Sequence, residues 1–281
     1  MMAVERVVEN KSDYRVPGYG GLWEKIISEL FEEFMLLFDR DLYEEIDFSK
    51  TPKFLQQDHY KEIIEEKKNS HTADQIVRVY LKNGTEKWIL IHIEMQAKAD
   101  KDLSEQMFRY FYRIYDRFDR DVHTIALIMD DKRSERPEHF HYSFLETKVD
   151  YQYDVYNFNS QDIVYLEQST NPFAVAVIAG ICANKSKYDV KKRFYFKRKL
   201  MKQILKGFPK EPEKSRTYMT ALFYFIDYIL QTPNYLQDQL ERDLSAHLDK
   251  KDVHQMHAEK DELSPTLAGI LHEFEKKGRG N

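Results

Sequence analysis

The sequence predicts an α/β fold: a mixed central sheet flanked by helices, followed by an all-helical C-terminal region. Residues 74–96 read as two alternating strands, Asp74 to Leu81 and Lys87 to Gln96. They are joined at Asn83-Gly84, the strongest short-range hairpin signal a sequence carries. Val122 to Met129 is a continuous apolar run of strand length, suited to a strand buried on both faces. An amphipathic helical pattern separates it from the hairpin, so strand, helix and strand imply a parallel crossover. Beyond Asn184 the periodicity is helical, with Pro209, Pro212, Pro233 and Pro265 in the joins.

Taken in order, residues 1–21 carry Pro17, Gly18, Gly20 and Gly21 and read as an irregular lead-in, with order beginning near Leu22. Trp23, Ile26, Ile27, Leu30, Phe31, Phe34, Leu37 and Phe38 recur at helical spacing, which predicts one helix over this stretch. From Asp39 to Lys68 the pattern is mixed, with a break at Pro52. In the hairpin, Val77, Val79 and Leu81 form one row and Ile89, Ile91, Ile93 and Met95 another. Both rows must face one core, and a one-residue slip would turn one of them outward. A three-residue loop, Lys82-Asn83-Gly84 with Gly84 left-handed, satisfies that condition.

Ser104 can cap a helix from about Glu105, whose stripe of Met107, Phe111, Ile114 and Phe118 should pack on the sheet. Arg109, Arg113 and Arg117 fall at i, i+4 and i+8. They form a basic ridge that either holds phosphates or stays solvated, with Glu105 pairing to Arg109. Tyr142 to Tyr156 suggests two further strands, and His139 and His141 read as surface histidines. Asn171-Pro172 opens a helix, Phe173 to Ala183, that is apolar nearly all round and hence buried. Helical patterns then cover Val190 to Leu205, Tyr218 to Leu230, Tyr235 to Leu248 and Leu267 to Phe274, with Asp249 to Glu262 a charged linker.

Aromatic residues at 14% supply core material, and 32% charged residues leave a solvated surface. One cysteine, Cys182, rules out an internal disulfide framework and fits a reducing cytosol, where Cys182 serves as a small buried hydrophobe. The N-terminus lacks an apolar signal region, and the longest apolar run is far short of a membrane span, so a soluble, cytoplasmic protein is expected. The net charge of −5 argues against a polyanion as partner. Its distribution argues for one, because residues 185–206 hold ten Lys or Arg against Asp189 alone, giving +9 there and −14 elsewhere. Lys197, Arg198, Lys199 and Lys202 are the candidate DNA contacts in that segment. A helical wheel places Val190, Phe194, Met201 and Leu205 towards the core, and the outer cations could equally be a face paired with acidic helices.

In the predicted register Asp74 lies opposite His92 and one diagonal step from Glu94, roughly 7–8 Å between backbones. Two carboxylates and the Gln96 amide then converge at one end of the hairpin. This Asp74 strand, the turn, and the strand ending Glu94-Met95-Gln96 resemble the PD-(D/E)xK nuclease core. More closely, they resemble its recombination-promoting nuclease (Rpn) or putative transposase branch, in which Gln replaces the usual Lys. The likeness continues through MFRYFYRIYDRF, HTIALIMDD and NPFAVAVIAG and covers about residues 20 to 185.

The resemblance implies a restriction-endonuclease-like domain at 22–185 with the helical region at 186–281 as an extension. It also implies a bacterial, divalent-metal-dependent DNA endonuclease acting in recombination or transposition-like DNA processing. Asp74 and Glu94, with the Met95 carbonyl, would hold Mg²⁺ or Mn²⁺, and Gln96 would orient a water. Arg109 would touch the DNA backbone, and the resemblance leaves room for a homodimer. In this fold the first helix often adds a third acid, for which Glu29 and Glu33 are available. Because Gln96 supplies no charge, the rival is a catalytically weak or inactive nuclease-fold protein that binds nucleic acid or protein. No phosphate-cradling Gly-rich loop, nucleophile elbow or HExxH motif points elsewhere.

Overall fold

The computed structural model describes residues 19–55, 72–94, 103–129, 139–158, 161–207, 212–246 and 263–278. The strands are β1 (Lys53–Phe54), β2 (Thr72–Tyr80), β3 (Glu86–Glu94), β4 (Val122–Ile128), β5 (His139–Phe144), β6 (Thr147–Gln152) and β7 (Asp154–Asn157). A five-stranded sheet runs β1-β2-β3-β4-β7, and β5 and β6 form a separate two-stranded hairpin. β1, β2 and β3 pair antiparallel, whereas β3, β4 and β7 run parallel, so the sheet is mixed. This α/β arrangement is compatible with a nuclease-like fold.

The hairpin register follows from pattern and turn together. Asp74 stands opposite His92 and Val77 opposite Ile89. The Leu81 N–H donates to the Thr85 carbonyl and the Gly84 N–H to the Leu81 carbonyl, closing a three-residue loop with Gly84 at φ +85°. Only glycine takes that angle without cost.

Both faces of the sheet are covered. Val77, Val79, Ile89, Ile91, Ile125 and Leu127 face α1 (Tyr19–Glu29), α2 (Phe31–Phe38) and α6 (Phe173–Lys185). On the opposite face Ile76, Trp88, Leu90, Ala126 and Ile128 meet Leu103, Met107, Tyr110 and Ile114 of α4 (Leu103–Phe118). Helix α3 (Arg40–Glu45) follows α2, capped by Asp39, whose carboxylate accepts the Leu42 N–H at 2.9 Å. The helices α5 (Ile163–Gln168), α7 (Val190–Lys206), α8 (Pro212–Ile229), α9 (Asn234–Ser245) and α10 (Pro265–Gly278) complete the fold. Trp23 of α1 meets Phe225 of α8 edge-on at 4.7 Å, so the C-terminal helices share the core under the sheet.

Several sequence expectations need correction. The helix expected from Trp23 to Phe38 is broken at Leu30, which leaves helical backbone angles (φ −120°, ψ 40°) while fully buried. Neither glycine nor proline marks the break, so the amphipathic period runs straight through it. Ser104 lies inside the first turn of α4 rather than capping it. Tyr142 to Tyr156 holds parts of three strands rather than two. The inward stripe of α7 is Lys197, Leu200, Met201 and Ile204, while Val190 is exposed. The lead-in before residue 19 and the charged stretch 249–262 lie outside the described residues.

Candidate active site

Asp74 shares a face of β2 with Ile76, two residues on, and therefore points to the side covered by α4. It is 3% exposed, and Oδ1 lies 2.6 Å from Nδ1 of His92, itself at 0%. A carboxylate removed from water in this way requires compensating partners, and the Nδ1–H of His92 is one. Tyr110 of α4 covers the imidazole at 6.3 Å between ring centroids, and Gln106 donates to the Tyr110 hydroxyl at 2.6 Å. Thr72 pairs with Glu94 and Asp74 with His92, so the backbones of Asp74 and Glu94 stand one diagonal step apart, on positions of equal parity. Glu94 ends β3 beside Ile128 of β4, at the carboxyl edge of the parallel strands. Its side chain, with Met95 and Gln96, lies outside the described residues.

Residues 37–129 match the family described as putative transposase, YhgA-like. This family is part of the Rpn-like branch of the PD-(D/E)xK nucleases, and the matched YhgA-like segment holds the whole hairpin, α4 and β4. No curated protein and no solved structure matches the chain.

The YhgA-like segment contributes two members of a second group that sequence reasoning missed. Nε2 of His123 lies 2.9 Å from Oδ2 of Asp39 and 3.3 Å from Oδ2 of Asp154, and the three ligand atoms are mutually within 4.8 Å. Such a set can hold a metal ion. The two oxygens flank Nε2 without forming a well-aligned hydrogen bond. His123 and Asp154 line a cavity of about 520 Å³ that also touches Thr124 and Tyr151. The His123 imidazole holds the Asp39 carboxyl below its usual range, against the opposing effect of burial. Burial, followed by the charges of Asp154 and Asp39, pushes the Tyr156 hydroxyl up to about 12. No spacing signal links residues 39, 123 and 154, because a loop and two strands bring them together.

This group is far from Asp74. His123 pairs with Ile89 and Glu94 with Ile128, so five residues of β4, about 16 Å, separate the two ends. The groups also occupy opposite faces of the sheet by parity.

The expected DNA contacts fare unevenly. Lys197 is 2% exposed and ion-paired to Asp227 at 2.8 Å, with Gln237 accepting at 3.1 Å. It cannot reach a phosphate, so its assignment to nucleic-acid binding is corrected. The same pair explains the shifted inward stripe, since the lysine turns inward to meet Asp227. Arg198 and Lys202 both engage Asp243, and Lys199 pairs with Glu167 at 2.5 Å. Arg109 meets Glu105 at 2.5 Å. Of the possible helix acids, Glu33 accepts from the Tyr218 hydroxyl and Glu29 pairs with Lys25 at 2.5 Å. His141 pairs with Asp150 across the β5–β6 hairpin, in keeping with a surface role. Cys182 is buried, which raises its thiol to about 11 and leaves it little thiolate character. Among the described residues, no helix is long and apolar enough to cross a membrane.

Proposed function

We propose that the protein is a divalent-metal-dependent DNA endonuclease of the YhgA-like family, with Asp74, Glu94 and Gln96 as its catalytic set. One observation supports this above the others. A buried carboxylate, fixed by a buried histidine, stands one diagonal step from the backbone of a second acid at the carboxyl edge of the parallel strands, inside the family segment. The residues fit a hard cation. Asp74 commits Oδ1 to His92, and in this reading Glu94 and the Met95 carbonyl would complete the ligand set. When bound, Mg²⁺ or Mn²⁺ would polarise the phosphodiester and stabilise the charge that develops on its oxygens.

Within this reading His92 holds the Asp74 carboxylate in one orientation, as hydrogen-bond partners of metal-ligating groups do. Gln96 offers an amide that orients water and cannot itself take up a proton. Arg109 is proposed to touch the DNA backbone, at the cost of loosening its pair with Glu105. At Arg198, Lys199 and Lys202 such contact would mean exchanging a carboxylate for a phosphate.

The decisive experiment incubates supercoiled plasmid with the protein in Mg²⁺ or Mn²⁺ and then in EDTA. Metal-dependent nicking that Asp74→Ala abolishes is the expected result. The rival, a nuclease-fold binding protein without turnover, is favoured by Gln96 standing where the superfamily has lysine. Retardation of DNA without nicking in either metal would establish it instead.

A further inference from the structure

The ten cations of residues 185–206 differ in their partners. Lys197, Arg198, Lys199 and Lys202 have acidic partners, as described above. In the first half, Lys185, Lys187, Lys191 and Lys192 are exposed, and among the described residues none of the four makes an ion pair. Tyr188 is 91% exposed and Tyr195 60%. Tyr195 follows Lys191 by four residues and Lys192 by three, so the three share the outward face of α7. Lys187 Nζ lies over the Tyr188 ring at 5.6 Å and Lys192 Nζ over Phe196 at 5.9 Å, so cations and rings already alternate on this surface without any acid among the described residues to neutralise them. Lys191 and Lys192 also stand in the first turn of α7, where the helix dipole is positive and cations are disfavoured.

The turn that carries these groups is firmly held. Ser186 is buried, and its hydroxyl donates to the Cys182 carbonyl at 2.6 Å. Arg193 donates to the carbonyls of Ser186, Lys187 and Gln231 at 3.0, 2.6 and 3.2 Å. Asp189, the acid in this corner, is occupied as the α7 cap, accepting the Lys192 N–H at 2.9 Å. Tyr188 is therefore displayed on a fixed turn, so little ordering is needed when a ligand stacks on it.

The position of the corner connects it to the sheet. The Asn184 side chain donates to the Met129 carbonyl at 3.1 Å, and Met129 directly follows Ile128, the parallel partner of Glu94. The end of α6 thus meets the sheet at the same carboxyl edge as the acids.

We propose that this corner, Lys185, Lys187, Tyr188, Lys191, Lys192 and Tyr195, binds single-stranded nucleic acid and leads it to the edge that carries Asp74 and Glu94. The lysines match a phosphate backbone, and the exposed rings match base faces, which only an unpaired strand presents. Binding stands on the corner alone; leading the strand to the acids rests on the nuclease reading.

The test measures anisotropy of labelled oligodeoxythymidylate, a duplex of equal charge, and heparin, using the full chain in EDTA so that nothing is cut. Oligodeoxythymidylate should bind tightest. Tyr188→Ala and Tyr195→Ala should each weaken it about tenfold with an unchanged salt slope. Lys187→Gln, Lys191→Gln and Lys192→Gln together should flatten the log-log slope by about 2. Lys276→Gln, which removes a cation paired with Glu273, should leave binding within about twofold of wild type. Circular dichroism should confirm that all variants are folded. Equal affinity for duplex or heparin, or tyrosine variants indistinguishable from wild type, would overturn the proposal. Binding that persists in a protein that never nicks DNA would remove the nuclease reading and leave the corner standing. Nicking that needs Asp74 but ignores every corner variant would do the reverse.

Discussion

Two Asp–His contacts occupy opposite faces and opposite ends of one sheet, and they differ in what their surroundings already explain. Asp39 caps α3, is partly exposed, and pairs with a histidine at the start of β4. Its position is accounted for by the helix it starts and the charge it balances. Asp74 is almost fully buried under α4, with His92 as a hydrogen-bond partner. The same residue types at similar distances thus differ in burial, and the fully desolvated pair at the strand ends is the stronger candidate for chemistry.

The largest effect expected from this contrast is on cleavage. Asp74→Ala and Glu94→Ala should each reduce plasmid nicking below detection while thermal unfolding stays cooperative, whereas His123→Ala and Asp154→Asn should nick at near wild-type rates. If the two pairs of variants exchanged these behaviours, the active site would move to the Asp39 group. Calorimetric titration with Mn²⁺ sharpens the same point. His92→Ala is expected to lower metal affinity about 10- to 100-fold, the usual cost of losing a group that orients a ligand. Retained affinity would reduce His92 to a packing residue.

A smaller effect should come from the turn that sets the register at Asp74. Gly84→Val should cost roughly 1–2 kcal/mol in urea unfolding, because φ is +85° and β-branched residues resist that conformation. With nothing within 4 Å of an added Cβ, the cost is one of backbone rather than packing. An unchanged midpoint would mean that the loop relaxes and the rows alone fix the register.

The smallest effect concerns pH. The Asp39 carboxyl is held below its ordinary 3.8, so its contribution to stability is present above that value and is lost as pH falls through the folded pKa. Asp39→Asn keeps a competent cap and should be less stable than wild type near neutrality by about 1 kcal/mol or less. That gap should close in acid. A gap that widens as pH falls would show that the His123 contact is not what lowers the carboxyl.

Much of this arrangement was legible in the sequence because local rules imposed it. Alternating rows and Asn83-Gly84 specified the β2–β3 pairing residue by residue, and the run Val122 to Met129 read as a strand, which β4 fills from Val122 to Ile128 with only its first two residues half-buried. The remainder depends on contacts made at long range. Lys197 reads as surface because lysines are, and only Asp227, thirty residues on in another helix, makes its burial tolerable. Asp243 and Glu167 neutralise cations that in sequence look available to DNA. The Asp39 group comes from a loop and two strands, and the break at Leu30 comes from packing. Neither leaves a periodic trace.

The packing of α6 reaches beyond the candidate site. A Cβ at Gly180 would lie 2.8 Å from the Trp23 ring, and that ring also leans on Phe225. The family segment ends at residue 129, yet the apolar cluster it needs runs on to Leu271. Grafting residues 37–129 into another scaffold would transplant the acids without their foundation. Exchange of parts with another chain should therefore succeed only when Trp23, Gly180 and Phe225 travel together with the β2–β3 hairpin.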